Sequence, residues 1–212
     1  PLGHPEFGKL ELCSCRQADV RARIRERLFS LSHLDDLERM TFETFEPRGR
    51  VGLGEEQKAS LERSFNQALA YSRALQGWLL IQGGYGCGKT HLAAAIANAC
   101  VGLGVPTLFV TVPDLLDSLR SASGDEETAF DDRFEQVRQA PLLVLDDFGT
   151  QNATDWAREK LFQILNHRYT NRLSTVVTTN LSLEEIDGRI RSRLLDPEVV
   201  SSIRILAPDY RR

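Results

Sequence analysis

Residues 83–90 read GGYGCGKT, and an apolar run, GWLLIQ (77–82), leads directly into them. Four residues separate Gly83 from Gly88, with Lys89 and Thr90 following at once. In that spacing a strand ends, a loop turns its backbone N–H groups inward, and a helix begins. Such a loop cradles phosphate oxygens, and the helix N-terminus adds its partial positive charge at the same place. Gly83, Gly84, Tyr85, Gly86, Cys87 and Gly88 would form the cradle, with His91 beside them on the opening helix. Lys89 would neutralise the β- and γ-phosphates of a nucleoside triphosphate, and the Thr90 hydroxyl would hold Mg²⁺.

Three further stretches carry groups that such a site needs. LLVLDDFG (142–149) sets two carboxylates after four apolar residues. A carboxylate at the tip of a buried strand beside a phosphate loop holds metal, so Asp146 is the expected Mg²⁺ ligand, directly or through water. Asp147 is placed to polarise an attacking water as general base; a solvated acid capping a strand is the competing reading. STVVTTN (174–180) ends in Asn180, which would reach the γ-phosphate or the water from the opposite side, although asparagine after a strand is also an ordinary turn residue. GRIRSR (188–193) offers Arg189, Arg191 and Arg193, whose guanidinium forks suit the oxygens of a phosphoryl transition state. Their bland reading is a basic helix end complementing its dipole.

These residues need a scaffold that delivers strand tips to one edge. Apolar runs predict strands over 77–82, 105–112, 141–146, 173–179 and 200–206, and helices over 89–101, 113–122, 153–170 and 182–188. An amphipathic helix over 55–76 precedes them. Pro113 suits a first helical turn, and Ser182 with Glu185 makes a capping box. Runs as continuous as LLVL imply burial on both faces, hence a parallel sheet between helix layers. The expectation is a doubly wound α/β domain over 41–212, of the P-loop NTPase kind with a five-stranded parallel sheet flanked by helices. A short helical extension occupies 1–40. The acidic stretch GDEETAFDD (124–132) reads as a solvated loop.

Composition narrows the partners. With 26 Lys and Arg against 30 Asp and Glu the formal charge is -4, so there is no basic footprint for coating DNA, and any DNA contact would be local or shared among subunits. No apolar run reaches the roughly 18 residues of a membrane helix. Four cysteines without a disulfide framework, Cys13, Cys15, Cys87 and Cys100, fit a reducing cytoplasm.

The combination of GGYGCGKTHLAAAIAN (83–98), LFVTVPDLLDSLR (108–120), LLVLDDFGTQ (142–151), WAREKLFQILNHRY (156–169), TVVTTN (175–180), RIRSRL (189–194) and DYRR (209–212) resembles AAA+ ATPases. Within them it is similar to the bacterial DnaC/DnaI-type helicase loaders and the IstB transposition ATPases, over most of the chain. The resemblance implies ATP and Mg²⁺ as cofactors, and slow hydrolysis stimulated by DNA or a partner. It also implies a DnaB-type replicative helicase as partner and single-stranded DNA held by a homo-oligomer. Asn180 would be the sensor, and Arg193 the finger reaching a neighbour's ATP, with Arg189 facing its own site or the interface. Thr154 and Trp156 fall on DNA-contacting positions, though Trp156 fits core packing equally well. Asp147 stands where glutamate is common in AAA+ proteins, which suits a slow switch. GKLELCSCRQADVRAR (8–23) resembles the end of a zinc-binding module, with Cys13 and Cys15 as two ligands. Zinc takes about four ligands, so it is expected only in a longer chain. The alternative is a transposition helper on duplex DNA; the C-x-C element favours the loader. A metabolic kinase is disfavoured, since no lid or acceptor site is visible.

Overall fold

The computed structural model describes Leu34 and residues 37–50, 52–125, 127–149 and 154–211. Apart from Leu34 and residues 37–40, which form turns, the helical extension expected over 1–40, with the Cys13/Cys15 pair, lies outside the described residues. Five strands, β1 (Trp78–Gly83), β2 (Thr107–Thr111), β3 (Leu142–Asp146), β4 (Ser174–Thr179) and β5 (Val200–Ile205), form one parallel sheet in the order β2-β3-β4-β1-β5. Each expected strand is present, within a few residues of its predicted bounds.

The unbroken apolar runs follow from cover on both faces. Along β1, Trp78 and Leu80 enter one core cluster while Leu79 and Ile81 enter the other, as a period of two requires. The first cluster is closed by α3 (Val112–Asp125), α4 (Glu127–Gln139), α5 (Asp155–Thr170) and α6 (Gly188–Leu194). The second is closed by α1 (Glu55–Ala74) and α2 (Lys89–Gly102), whose alanine-rich face lets it lie close to the sheet.

Two expectations are corrected. The stretch read as a solvated loop over 124–132 is helical from Glu127 onward. Phe130, Phe134 and Val137 recur at helical spacing and pack against the core, while Asp131 and Asp132 stay exposed. Counting charge concealed that period. The helix expected over 182–188 is instead a single 3-10 turn, Leu183–Glu185, with the Ser182/Glu185 capping box in place. The helix that follows, α6, starts where the other was to end. Asp187 caps it, its Oδ1 accepting from the N–H groups of Arg189 (3.0 Å) and Ile190 (3.4 Å).

A buried cation joins this layer together. Arg168 of α5 is fully enclosed, donating to the carbonyls of Val137 (3.3 Å), Arg138 (3.0 Å) and Ala140 (2.8 Å) at the end of α4. It also donates to Thr175 Oγ1 (2.9 Å) and the Ser174 carbonyl (2.5 Å) on β4. One guanidinium thus satisfies the orphan carbonyls of a helix C-terminus and fixes that helix to the central strand.

Candidate functional site

The strand order sets the site. In an open parallel sheet, ligands bind at the carboxyl ends of the strands, and here β4 lies between β1, which feeds the loop 83–90, and β3, which ends in the acids. Gly83 closes β1 because a Cβ there would lie 2.7 Å from Cys87 Sγ and 2.9 Å from the Ile205 carbonyl. Gly88, at φ 102, is the N-cap of α2 in a backbone region that side chains rarely adopt. The loop therefore turns tightly and presents the start of α2.

Lys89 is buried, its Nζ donating to the Gly84 carbonyl at 2.7 Å across the loop. Thr90 Oγ1 donates to Asp146, 3.2 Å from Oδ1 and 3.0 Å from Oδ2. Asp146 is 3% exposed, and burial holds its carboxyl above the usual carboxylate range against the lowering pull of Thr178 and Thr90. Sequence reasoning missed Thr178 on β4, whose hydroxyl donates to Asp146 Oδ1 at 2.6 Å. Only its neighbour Asn180 carried a recognisable signal.

Asp147 is exposed and left-handed at φ 54. Asp and Asn tolerate that region better than longer side chains, because they bond locally. This gives a physical reason for aspartate where glutamate is common. Its N–H donates to Thr178 Oγ1 at 3.0 Å. Asn180 Oδ1 is buried without a hydrogen-bond partner. As an acceptor it can take a water O–H, whereas its amide NH₂ would be the group for a phosphate oxygen.

Two cavities flank the loop. One, of about 520 Å³, is lined by residues 86–91, by connector residues including Phe45, Arg50 and Leu53, and by residues 207–211. Its size suits a small-molecule ligand. The chain's last residues close it: Tyr210 N–H donates to the Gly86 carbonyl at 3.0 Å, and Arg50 lies 4.0 Å over the Tyr210 ring. The other, about 610 Å³, is lined by Gln82, Gly83, Gly84, Asn180 to Glu185, and residues 204–206. The wall formed by the connector and residues 207–211 was not anticipated, because it joins segments about 160 positions apart.

The remaining candidate residues are placed as follows. Tyr85 is 74% exposed and lines neither cavity, so its part in a cradle would be its main chain. His91 turns its ring to the connector, with Nε2 3.0 Å from the Thr41 carbonyl and 3.2 Å from Thr44 Oγ1, edge-on to Phe45. Thr154 caps α5, its Oγ1 accepting from the Ala157 N–H at 3.3 Å. Trp156 is half-buried against the core with Arg120 5.4 Å over its ring. Arg193 donates to Asn166 Oδ1 (3.0 Å from Nε) and to the Arg189 carbonyl (2.7 Å), over Phe162. Arg189 pairs with Glu159 at 3.0 Å. Neither arginine hydrogen-bonds to the loop 83–91 of its own chain.

The oxygen-only set of Thr90 and Asp146 fits a hard cation of the Mg²⁺ kind, which is bound through one or two carboxylates together with substrate phosphates. Among the described residues no cluster of three His, Cys, Asp or Glu could form an all-protein metal site, and Cys87 and Cys100 are free and buried. No described helix is long and apolar enough to cross a membrane.

The chain is similar to several known proteins. The replicative helicase loader DnaI of Bacillus subtilis is 31% identical over 130 residues, 60% of this chain and 41% of that protein. The loader DnaC of Escherichia coli K12 is 28% identical over 117 residues, 55% of this chain and 48% of that protein. The matched stretches thus span less than half of each relative. A crystal structure of the DnaC helicase loader superposes with a TM-score of 0.66 at 26% identity, covering 79% of this chain and 97% of that one. The profile of the IstB-like ATP binding proteins matches residues 11–203. With its AAA+ P-loop sheet and its glycine-rich loop beside a buried acid, the chain belongs to the IstB-like ATP-binding protein family.

Proposed function

We propose that this chain is a slowly hydrolysing ATPase that acts as a replicative helicase loader. The observation that carries this reading is the convergence of Lys89, Thr90 and Asp146 beside a cavity that also reaches the N-terminus of α2. ATP enters with its phosphates in the loop 83–90 and its base toward the connector and residues 207–211. When bound, Mg²⁺ is held by Thr90 and Asp146 and balances phosphate charge. Lys89 exchanges its Gly84 carbonyl for phosphate oxygens. Asp147 serves as general base and Asn180 orients the water. Arg193 acts on a neighbouring copy, a reading supported by its own chain's loop being out of its hydrogen bonds. The active unit is then a homo-oligomer that holds single-stranded DNA and engages a DnaB-type helicase in the cytoplasm. Thr154 and Trp156 contribute little to DNA contact in this reading, since one caps a helix and the other packs on the core. A second reading, a transposition helper on duplex DNA, is favoured by the family profile itself.

The test is ATP hydrolysis by the purified protein alone, with single-stranded DNA and with duplex. Stimulation by single strands supports the loader, and a duplex preference supports the transposition helper. Turnover unchanged by Lys89→Ala refutes the nucleotide site.

A further inference from the structure

Thr178 is fully buried on the central strand, two residues before Asn180. Its single hydroxyl oxygen donates to Asp146 Oδ1 at 2.6 Å and accepts from the Asp147 N–H at 3.0 Å. The place of that one atom therefore fixes the carboxylate of the first acid and the backbone of the second. Thr90 Oγ1 meets the same carboxylate from its other side, 3.0 Å from Oδ2 and 3.2 Å from Oδ1. Threonine is stiff at χ1, and in a packed strand its hydroxyl cannot swing aside without driving its methyl group into neighbours. The adjacent Thr179 cannot substitute, because its hydroxyl donates to the Phe148 carbonyl at 2.7 Å.

We infer that Thr178 is a positioning residue for the metal–nucleotide site: it aims Asp146 at the Thr90 side and holds Asp147 in its left-handed conformation. The inference rests on the ATP and Mg²⁺ reading above. It ties the strand that bears Asn180 to both acids through one oxygen. A shift at the tip of β4 is then felt at once by the metal ligand and by the base.

The experiment compares wild type with Thr178→Val, which keeps shape and removes the hydroxyl, and Thr178→Ser, which keeps the hydroxyl. ATP affinity is measured by calorimetry with Mg²⁺ and with EDTA, alongside ligand-free melting and turnover at saturating ATP. Thr178→Val is expected to bind metal-free ATP like wild type. It should lose about tenfold of the affinity that Mg²⁺ adds, the factor one net hydrogen bond carries. Its saturated turnover falls, and Thr178→Ser restores both. If the valine variant does not fold, Thr178→Cys, with a weak thiol donor in a similar volume, is expected to lie between. Full Mg²⁺ enhancement in a folded valine or cysteine variant overturns the role of Thr178 alone. A wild-type chain that binds no ATP under either condition overturns this inference together with the nucleotide reading.

Discussion

Replacing Asp147 by asparagine separates its chemistry from its backbone. The residue sits at φ 54, a region that costs an ordinary L-residue roughly 1–2 kcal/mol and that Asn and Asp adopt most readily. Its bond to Thr178 comes from the main-chain N–H, which every substitution except proline retains. Asp147→Asn should therefore leave the fold unchanged, within about 0.5 kcal/mol, while removing the carboxylate that polarises water. General bases contribute about 10²- to 10⁴-fold, so saturated ATP turnover should fall by that factor with ATP affinity preserved. Asp147→Ala loses the same activity and in addition up to about 1 kcal/mol of backbone tolerance. That is a drop of about 2–4 °C in melting temperature for a domain of this size. Asp147→Glu keeps a carboxylate on a side chain less suited to φ > 0, so it should retain part of the activity and lose part of the stability. The assay is phosphate release at saturating ATP and Mg²⁺, paired with thermal melting of the ligand-free proteins. Wild-type turnover in Asp147→Asn refutes the general-base role, and equal melting temperatures for the Asn and Ala variants refute the argument from backbone conformation.

Other expectations are simpler. Arg193→Ala should bind ATP normally and lose about 10³-fold or more of stimulated hydrolysis; mixing it with Asp146→Ala subunits should restore some turnover, and no restoration at any ratio argues against action in trans. Arg168→Met leaves three carbonyls at the end of α4 without their donor, so it should cost about 3–5 kcal/mol, seen as a lower urea midpoint. Asp146→Asn should abolish Mg²⁺-dependent hydrolysis yet raise the ligand-free melting temperature at neutral pH. The sign follows from burial. A carboxyl raised in the folded state contributes stability that is present below its unfolded pKa and lost as pH rises through the folded one. The advantage of the Asn variant should therefore shrink as pH falls through the carboxylate range, and an advantage that is constant with pH contradicts this account.

Much of the site was legible along the chain because its parts are local. GGYGCGKT is a strand–loop–helix unit whose glycines answer to backbone turns a few residues apart. LLVL before Asp146 marks a strand buried on both faces, and that burial is what raises its carboxyl. The number of strands and their parallel sense follow from apolar runs alternating with helices. The misreadings arose where a local signal was outweighed. In 127–139 charge hid a helical period that only the waiting core makes decisive. After β4 a capping box closed one turn and no more, because Ile186 and Asp187 leave the helical path and Asp187 starts α6 anew. Strand order belongs to the tertiary structure alone. It sets β4 between loop and acids and so gives Thr178 its two bonds, brings residues 207–211 over Gly86, and puts the Arg168 guanidinium at the end of α4. Those contacts join positions about 30 to 125 residues apart, and a pattern that repeats every two or four residues carries no record of which distant partner completes it.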